Sequence, residues 1–166
     1  MKIVSVYGYS KSGKTTTVEC LIKELKKRNY TVGTVKEIHY ESFAIDVEGS
    51  NTDRHKKAGA DLVTARGLFE TDILFQRKLS MPEILKFYNQ DYVILEGVTD
   101  FDVPKILCAA SLEDVKERID GSVFALSGVI SNNISRFDNL PVINAVTEAD
   151  RLADLMEKVA LDWESE

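Results

Sequence analysis

At 166 residues, with 44% hydrophobic and 29% charged content, the chain has the length and composition to bury one core, which excludes a disordered or fibrous protein. A formal net charge of −6 opposes nonspecific nucleic-acid binding, because that mode rests on neutralising phosphates. No apolar run approaches the roughly 18 residues of a membrane span, Met1–Val6 lacks a signal peptide's cleavage region, and Cys20, Cys108, His39 and His55 form no zinc-ligand spacing. The expectation is one cytoplasmic domain over 1–166, partnered by neither membrane nor nucleic acid.

Short apolar runs alternate with helical periodicity, the pattern of a parallel sheet with crossover helices. Lys2–Tyr7 reads as a buried strand, and Lys14–Arg28 as a helix with Val18, Leu21, Ile22 and Leu25 on one face. Thr31–Ile38, rich in β-branched residues, is the second strand. Ser42–Val47 is a further short strand that could form a hairpin with it. Thr52–Ala60 is a short polar helix with Gly59 as a stop, followed by strands at Asp61–Ala65 and Leu68–Phe75 around an Arg66-Gly67 turn.

Ser80 caps a helix that carries Pro82 near its start and runs to about Tyr88. Tyr92–Leu95 and Pro104–Ala109 are strands. Ser111–Asp114 has capping-box spacing and opens a helix. Ser122–Ile130 is strand-like, and Val142-Ile143 is a last short strand. Thr147–Asp150 is a second capping-box candidate, opening a helix with Leu152, Leu155, Met156 and Val159 inward. Cys20 and Cys108 fall on helix and strand patterns as small core residues.

The chemistry concentrates after the first strand. Gly8-Tyr9-Ser10-Lys11-Ser12-Gly13-Lys14-Thr15 matches GxxxxGK[ST] in full, between a strand pattern and an amphipathic helix. The glycines let the backbone wrap so that amides of residues 10–15 converge on a phosphate, and the helix adds its positive end. Lys14 is spaced to reach the β- and γ-phosphates, and the Thr15 hydroxyl to ligate magnesium. Gly8, Ser10, Lys11, Ser12, Gly13, Lys14, Thr15 and Thr16 are therefore the candidate nucleotide-binding residues.

Magnesium wants a carboxylate at a neighbouring strand end, and Asp91–Gly97 supplies Glu96 there. Asp46, on the segment after the second strand, is the other candidate metal and catalytic acid; alone it also reads as a hairpin-turn acid. Asn132, in Gly128–Asn133 at the end of a late strand, is positioned for a base edge, although asparagine can pair with either purine. No [NT]KxD guanine motif occurs. Arg54, His55, Lys56, Lys57 and Arg66 could form a basic patch for a phosphorylated pterin, of which Arg54 is the firm candidate. Lys56 and Lys57 read more simply as a solvated helix face.

Several segments together resemble the molybdopterin-guanine dinucleotide biosynthesis protein B (MobB) family. They are Gly8–Thr15, Leu25–Lys36, Phe43–Asp46, Arg54–Asp61, Val93–Gly97 and Pro104-Lys105-Ile106, in order over residues 1–110. The resemblance implies a P-loop NTPase-type α/β fold, a mostly parallel sheet flanked by helices, with a β-hairpin extension after the second strand. It implies a homodimer that binds GTP and Mg2+, hydrolyses slowly, and assists a guanylyltransferase-type partner enzyme that couples GMP to molybdopterin. It carries phosphate and magnesium binding to Gly13, Lys14 and Thr15, and places Glu96 and Asp46 near the metal, with Arg54 in an adjoining motif. Two departures stand out: Glu37 and Tyr40 interrupt the family's histidine cluster, and Glu48-Gly49-Ser50-Asn51 replaces its proline-glycine-lysine-aspartate stretch.

A small-molecule kinase using ATP or GTP is the alternative, but Arg118, Arg136 and Arg151 are too scattered for an arginine-rich lid. A metal-insertion GTPase would want Cys/His ligands that this sequence does not offer.

Overall fold

The computed structural model describes residues 1–164. Its elements, in chain order, are β1 (Lys2–Tyr7), α1 (Lys14–Lys27), β2 (Val32–Lys36), α2 (Asn51–Lys57), β3 (Leu62–Arg66), β4 (Thr71–Phe75), α3 (Met81–Leu85), β5 (Tyr92–Glu96), β6 (Lys105–Cys108), α4 (Leu112–Arg118), β7 (Val123–Ser127), β8 (Arg136–Phe137), β9 (Leu140–Pro141), α5 (Ala149–Val159) and β10 (Leu161–Asp162). They fall into two compact units, Met1–Glu37 with Tyr88–Glu166, and Ile38–Phe87.

In the first unit the unbroken apolar runs form the centre of the sheet, as expected for parallel strands covered on both faces. Ile3, Val4 and Val6 of β1 and Val93, Ile94 and Leu95 of β5 are wholly buried. The strand order is β2-β5-β1-β6-β7, and all four pairings are parallel. Alternation along the strands divides the core. Val4, Val6, Ile106 and Ala125 pack against Val18, Leu21 and Leu25 of α1 and Leu152, Ala153 and Met156 of α5. Tyr7, Leu107 and Leu126 face the other way, with Val115 of α4. Each fully buried leucine, isoleucine or methionine contributes about 1.5–3 kcal/mol of transfer free energy.

Arg28, just beyond α1, ties the two helices of the first layer together. Its guanidinium reaches Glu24 at 3.1 Å, Asp154 at 2.7 Å and Glu157 at 3.0 Å, and donates to the Asp150 carbonyl at 2.9 Å.

One edge of β1 is shared. Its first residues pair antiparallel with β10 (Ile3 opposite Leu161), and its later ones parallel with β6 (Val6 opposite Ile106). The final pair β10 and the β8–β9 ribbon are too short to carry a periodic signal, and the sequence reading missed them. The strand expected over 122–130 ends at Ser127, because Gly128 turns the chain with φ 82° into a 3-10 turn over Val129–Asn132. The last strand expected at Val142-Ile143 reduces to a bridge between Val142 and Leu126. α5 is capped at Glu148 without a side-chain cap, so the capping box expected at Thr147 does not form, and Val159, expected inward, is exposed at the helix end.

In the second unit β3 and β4 form an antiparallel hairpin with Val63 opposite Leu74, closed by a hydrogen bond from Gly67 N–H to the Glu70 carbonyl at 2.8 Å. This is the hairpin after the second strand. The strand expected at Ser42–Val47 does not form. Asp46 accepts from Ser50 Oγ at 2.8 Å and Thr52 Oγ1 at 2.7 Å, which folds this stretch back on the start of α2 instead of extending it. α2 opens on Ser50, whose hydroxyl accepts from Asp53 N–H at 3.0 Å. α3 stops at Leu85, before Tyr88, as Phe87 turns onto Phe75 with ring centroids 5.8 Å apart. No helix among the described residues is long and apolar enough to cross a membrane.

Candidate functional site

From β1 the chain crosses through α1 to β2 on one side, and from β5 it passes to β6 on the other. The strand order therefore reverses at the carboxyl end of β1, where open parallel sheets bind ligands. The loop from Gly8 to Gly13 sits at that point. Gly13 caps α1 with φ 95° and without any side-chain acceptor, so the first amides of a 14-residue helix are left to an anion.

A second loop presses on the first. An added Cβ on Gly128 would lie 2.0 Å from the Ser12 carbonyl oxygen, and one on Gly13 would lie 3.0 Å from Gly128 Cα. Only glycine allows that approach, and it is locked by a hydrogen bond from Val129 N–H to the Ser12 carbonyl at 3.1 Å. Under the loop, the buried Ser12 Oγ has no hydrogen-bond partner among the described residues. From the outer side, Arg118 of α4 lies 4.0 Å over the Tyr9 ring, and the Tyr9 hydroxyl donates to Glu117 at 2.8 Å.

Lys14 Nζ donates to the carbonyls of Gly8 at 2.9 Å and Tyr9 at 2.5 Å. Desolvation lowers its pKa from the usual lysine value, and the nearby Lys36 and Arg118 act in the same direction while Glu96 opposes. A cation held by two carbonyls, and by no carboxylate among the described residues, is set to meet an incoming anion. Cys108, buried beneath the loop, has its thiol pushed up to about 12 by burial and serves as a neutral packing group.

Glu96 ends β5 in register with Val6 of β1 and Lys36 of β2. Its side chain is only 8% exposed, and one oxygen, Oε1, accepts from Thr15 Oγ1 at 2.8 Å and from Lys36 Nζ at 2.5 Å. Ser10, Lys11, Lys14, Thr15, Lys36 and Glu96 line a cavity of about 510 Å3. The residues present suit a magnesium-bound phosphate chain: an orphaned buried hydroxyl, uncapped amides at the start of α1, ammonium groups, and a hydroxyl–carboxylate pair of hard oxygen ligands. Gly13, Thr16 and Val129 also line a second cavity of about 420 Å3, whose other walls include Thr17, Asn132, Asn144, Val146 and Thr147. There Asn144 Nδ2 donates to Asn132 Oδ1 at 2.9 Å, and Asn144 Oδ1 accepts from Val146 N–H at 3.0 Å.

Of the candidates read from sequence, Ser10, Lys11, Gly13, Lys14, Thr15, Thr16, Glu96 and Asn132 thus line the first unit's two adjoining cavities, while Gly8 and Ser12 belong to the loop without lining either. Asp46 and Arg54 belong to the second unit. Asp46 pairs with Lys56 at 2.8 Å, and that contact, with Thr52 and Ser50, holds its carboxyl at about 2. Lys56, expected to solvate a helix face, is instead largely buried by this pair. Lys57 pairs with Asp53 at 2.8 Å, and Arg54 is exposed on α2. Lys36 and Asn144 were missed. Lys36 was read inside a strand expected over Thr31–Ile38, whereas β2 ends at Lys36, which sets it opposite Glu96 at the same end of the sheet. Asn144 sits in irregular chain that no periodicity reaches.

The family model described as molybdopterin guanine dinucleotide synthesis protein B (MobB) matches residues 3–127. A probable molybdopterin-guanine dinucleotide biosynthesis adapter protein of Bacillus subtilis (strain 168) is 26% identical over 147 residues, covering 86% of this chain and 85% of its own. The corresponding adapter protein of Haemophilus influenzae is 32% identical over 110 residues, 63% of this chain and 61% of its own. Among solved structures, the crystal structure of Bacillus subtilis MobB superposes with a TM-score of 0.79 at 21% identity, covering 96% of this chain and 98% of that one. The MobB homologue from Bacillus stearothermophilus gives a TM-score of 0.70 at 22% identity over 95% and 97%. At those identities the superpositions establish the fold alone.

Proposed function

Because the chain belongs to the molybdopterin guanine dinucleotide synthesis protein B (MobB) family, we propose that it is a GTP-binding adapter of molybdenum or tungsten cofactor biosynthesis. In this reading it assists a guanylyltransferase-type partner enzyme in attaching GMP to molybdopterin, and works as a homodimer. The observation that carries nucleotide binding is the continuity of the two cavities across Gly13, Thr16 and Val129, which gives a phosphate end and a base end on one surface. The names of the relatives, molybdopterin-guanine dinucleotide biosynthesis adapter proteins, support the biosynthetic role.

Each part of the site has a task that its chemistry suits. The loop amides and Lys14 bind the β- and γ-phosphates. Thr15 and Glu96 hold magnesium, which when bound supplies neutralisation of phosphate charge. Asp46 already has its partners within the second unit, so the reading needs only those two ligands. Asn132 lines the second cavity, and with its oxygen accepting from Asn144 its amide is left to act as a donor. Guanine offers two adjacent acceptors, N7 and O6, where adenine offers one acceptor beside a donor, so this amide favours guanine.

Thermal melting with magnesium and equal concentrations of GTP or ATP tests the reading. At one hundred times the dissociation constant a ligand stabilises by about 2.7 kcal/mol. At the roughly 2–4 °C per kcal/mol of a chain this size, that is a rise of about 5–11 °C. GTP is expected to give clearly the larger shift. Equal shifts, or a larger one with ATP accompanied by a phosphorylated small molecule, would favour the kinase alternative.

A further inference from the structure

We infer that Lys36 distinguishes a nucleoside triphosphate from a diphosphate at this site: it pairs with Glu96 when no nucleotide is bound and turns to the terminal phosphate when one is. The inference rests on the nucleotide reading above and adds a residue that the phosphate-loop motif does not contain.

Two donors converge on one oxygen. Lys36 Nζ and Thr15 Oγ1 both reach Glu96 Oε1, at 2.5 and 2.8 Å. Thr15 and Glu96 are the pair best suited to magnesium, so Lys36 holds the place of a cation beside the carboxylate. Once Thr15 and Glu96 serve as ligands, that oxygen can no longer satisfy the ammonium, and Lys36 needs another anion.

The root and the tip of Lys36 differ in freedom. Its backbone is fixed, because β2 runs parallel to β5 with Lys36 opposite Glu96, and the next amide, Glu37 N–H, donates to the Glu96 carbonyl at 2.9 Å. Its side chain is 56% exposed, against 8% for Glu96, so four methylenes can swing without repacking the core. The ammonium already lines the same cavity as Lys11, Lys14 and Ser10, so an anion within reach is the one bound there. Lys14 lies at the loop itself, bonded to Gly8 and Tyr9, and in this reading reaches the β-phosphate that di- and triphosphates share as well as the γ-phosphate. Lys36 comes from across the cavity, two strands away from β1, and its partner is the additional phosphoryl group of a triphosphate.

Calorimetric titration of GDP and a non-hydrolysable GTP analogue, with magnesium and with EDTA, into wild type, Lys36→Met and Lys36→Arg tests this. Lys36→Met is expected to lose roughly 10- to 100-fold in analogue affinity, the scale of one hydrogen bond to a charged group, while GDP affinity changes less than about twofold. Lys36→Arg keeps most of the preference for the analogue. EDTA reduces the preference in wild type, because Lys36 then stays with Glu96. An unchanged analogue-to-GDP ratio in Lys36→Met overturns the inference. So does an equal loss for both nucleotides, which would mean that Lys36 acts only by orienting Glu96. Circular dichroism melts of both variants separate these outcomes from unfolding. If wild type binds neither nucleotide, the nucleotide reading fails and this inference with it; if wild type binds both and only the ratio is insensitive to Lys36, the inference alone fails.

Discussion

Replacing Gly128 by alanine tests whether the two loops are built against each other. Gly128 has φ 82° and ψ −155°, a region that is essentially glycine-only, and holding a side chain there costs of order 1–3 kcal/mol. The new Cβ would also lie 2.0 Å from the Ser12 carbonyl oxygen and 3.2 Å from the Ala109 amide nitrogen, both backbone atoms that cannot rotate away. Overpacking of that kind adds about 1–3 kcal/mol. Together the two terms predict a loss of about 2–6 kcal/mol, a fall in melting temperature of roughly 4–24 °C for a chain of this size. Relief requires the phosphate loop to move, since Ser12 also accepts from Val129, so nucleotide affinity should fall along with stability. The assay is thermal melting by circular dichroism with and without GTP and magnesium, alongside calorimetric titration at a temperature where the variant is folded. A variant that melts within about 2 °C of wild type and binds with wild-type affinity would refute the reasoning.

Glu96→Gln keeps the shape and the acceptor for Thr15 but removes the charge, so it should weaken magnesium-dependent GTP binding and leave binding in EDTA nearly unchanged; equal effects in both conditions would remove Glu96 from the metal. For Asp46, the folded carboxyl at about 2 lies below its unfolded value of 3.8. Its contribution to stability is therefore complete above 3.8 and lost as the pH falls through about 2. Asp46→Asn should lower stability at neutral pH and flatten the acid dependence of urea midpoints between pH 4 and 2, whereas parallel pH profiles for the two proteins would contradict the Lys56 pairing. Leu152→Ala empties a fully buried position between α5 and the sheet and should cost about 2–5 kcal/mol by urea denaturation; a cost under about 1 kcal/mol would mean that the layer repacks.

The parallel sheet was legible because β1, β5 and β6 are short apolar runs whose burial on both faces leaves no polar alternation to read. Gly8–Thr15 was legible because phosphate wrapping requires glycines and a lysine at fixed spacing. Glu96 followed, since a carboxylate closing an apolar strand falls on the ligand edge of the sheet. Pieces stabilised by tertiary contact were not legible. β10 is two residues long and exists because β1 leaves half an edge open beside β6. The extended look of Ser42–Val47 is overridden by Asp46 bonding forward to Ser50, Thr52 and Lys56, a local competition that β-propensity does not weigh. Asn144 reaches the second cavity through a bond to Asn132 across twelve residues of chain, and spacing alone gives no sign of it.

The claim on which the rest depends is that the loop after β1 holds nucleotide phosphates, and calorimetric titration of GTP with magnesium into wild type and Lys14→Ala tests it most directly. Among the described residues Lys14 hydrogen-bonds the Gly8 and Tyr9 carbonyls alone, so its truncation should leave the circular dichroism spectrum and the fold intact. Wild type is expected to bind saturably at one site per chain, and Lys14→Ala to show no measurable binding. Saturable binding that survives in a folded Lys14→Ala protein at near wild-type affinity, or no binding by wild type, would contradict the account.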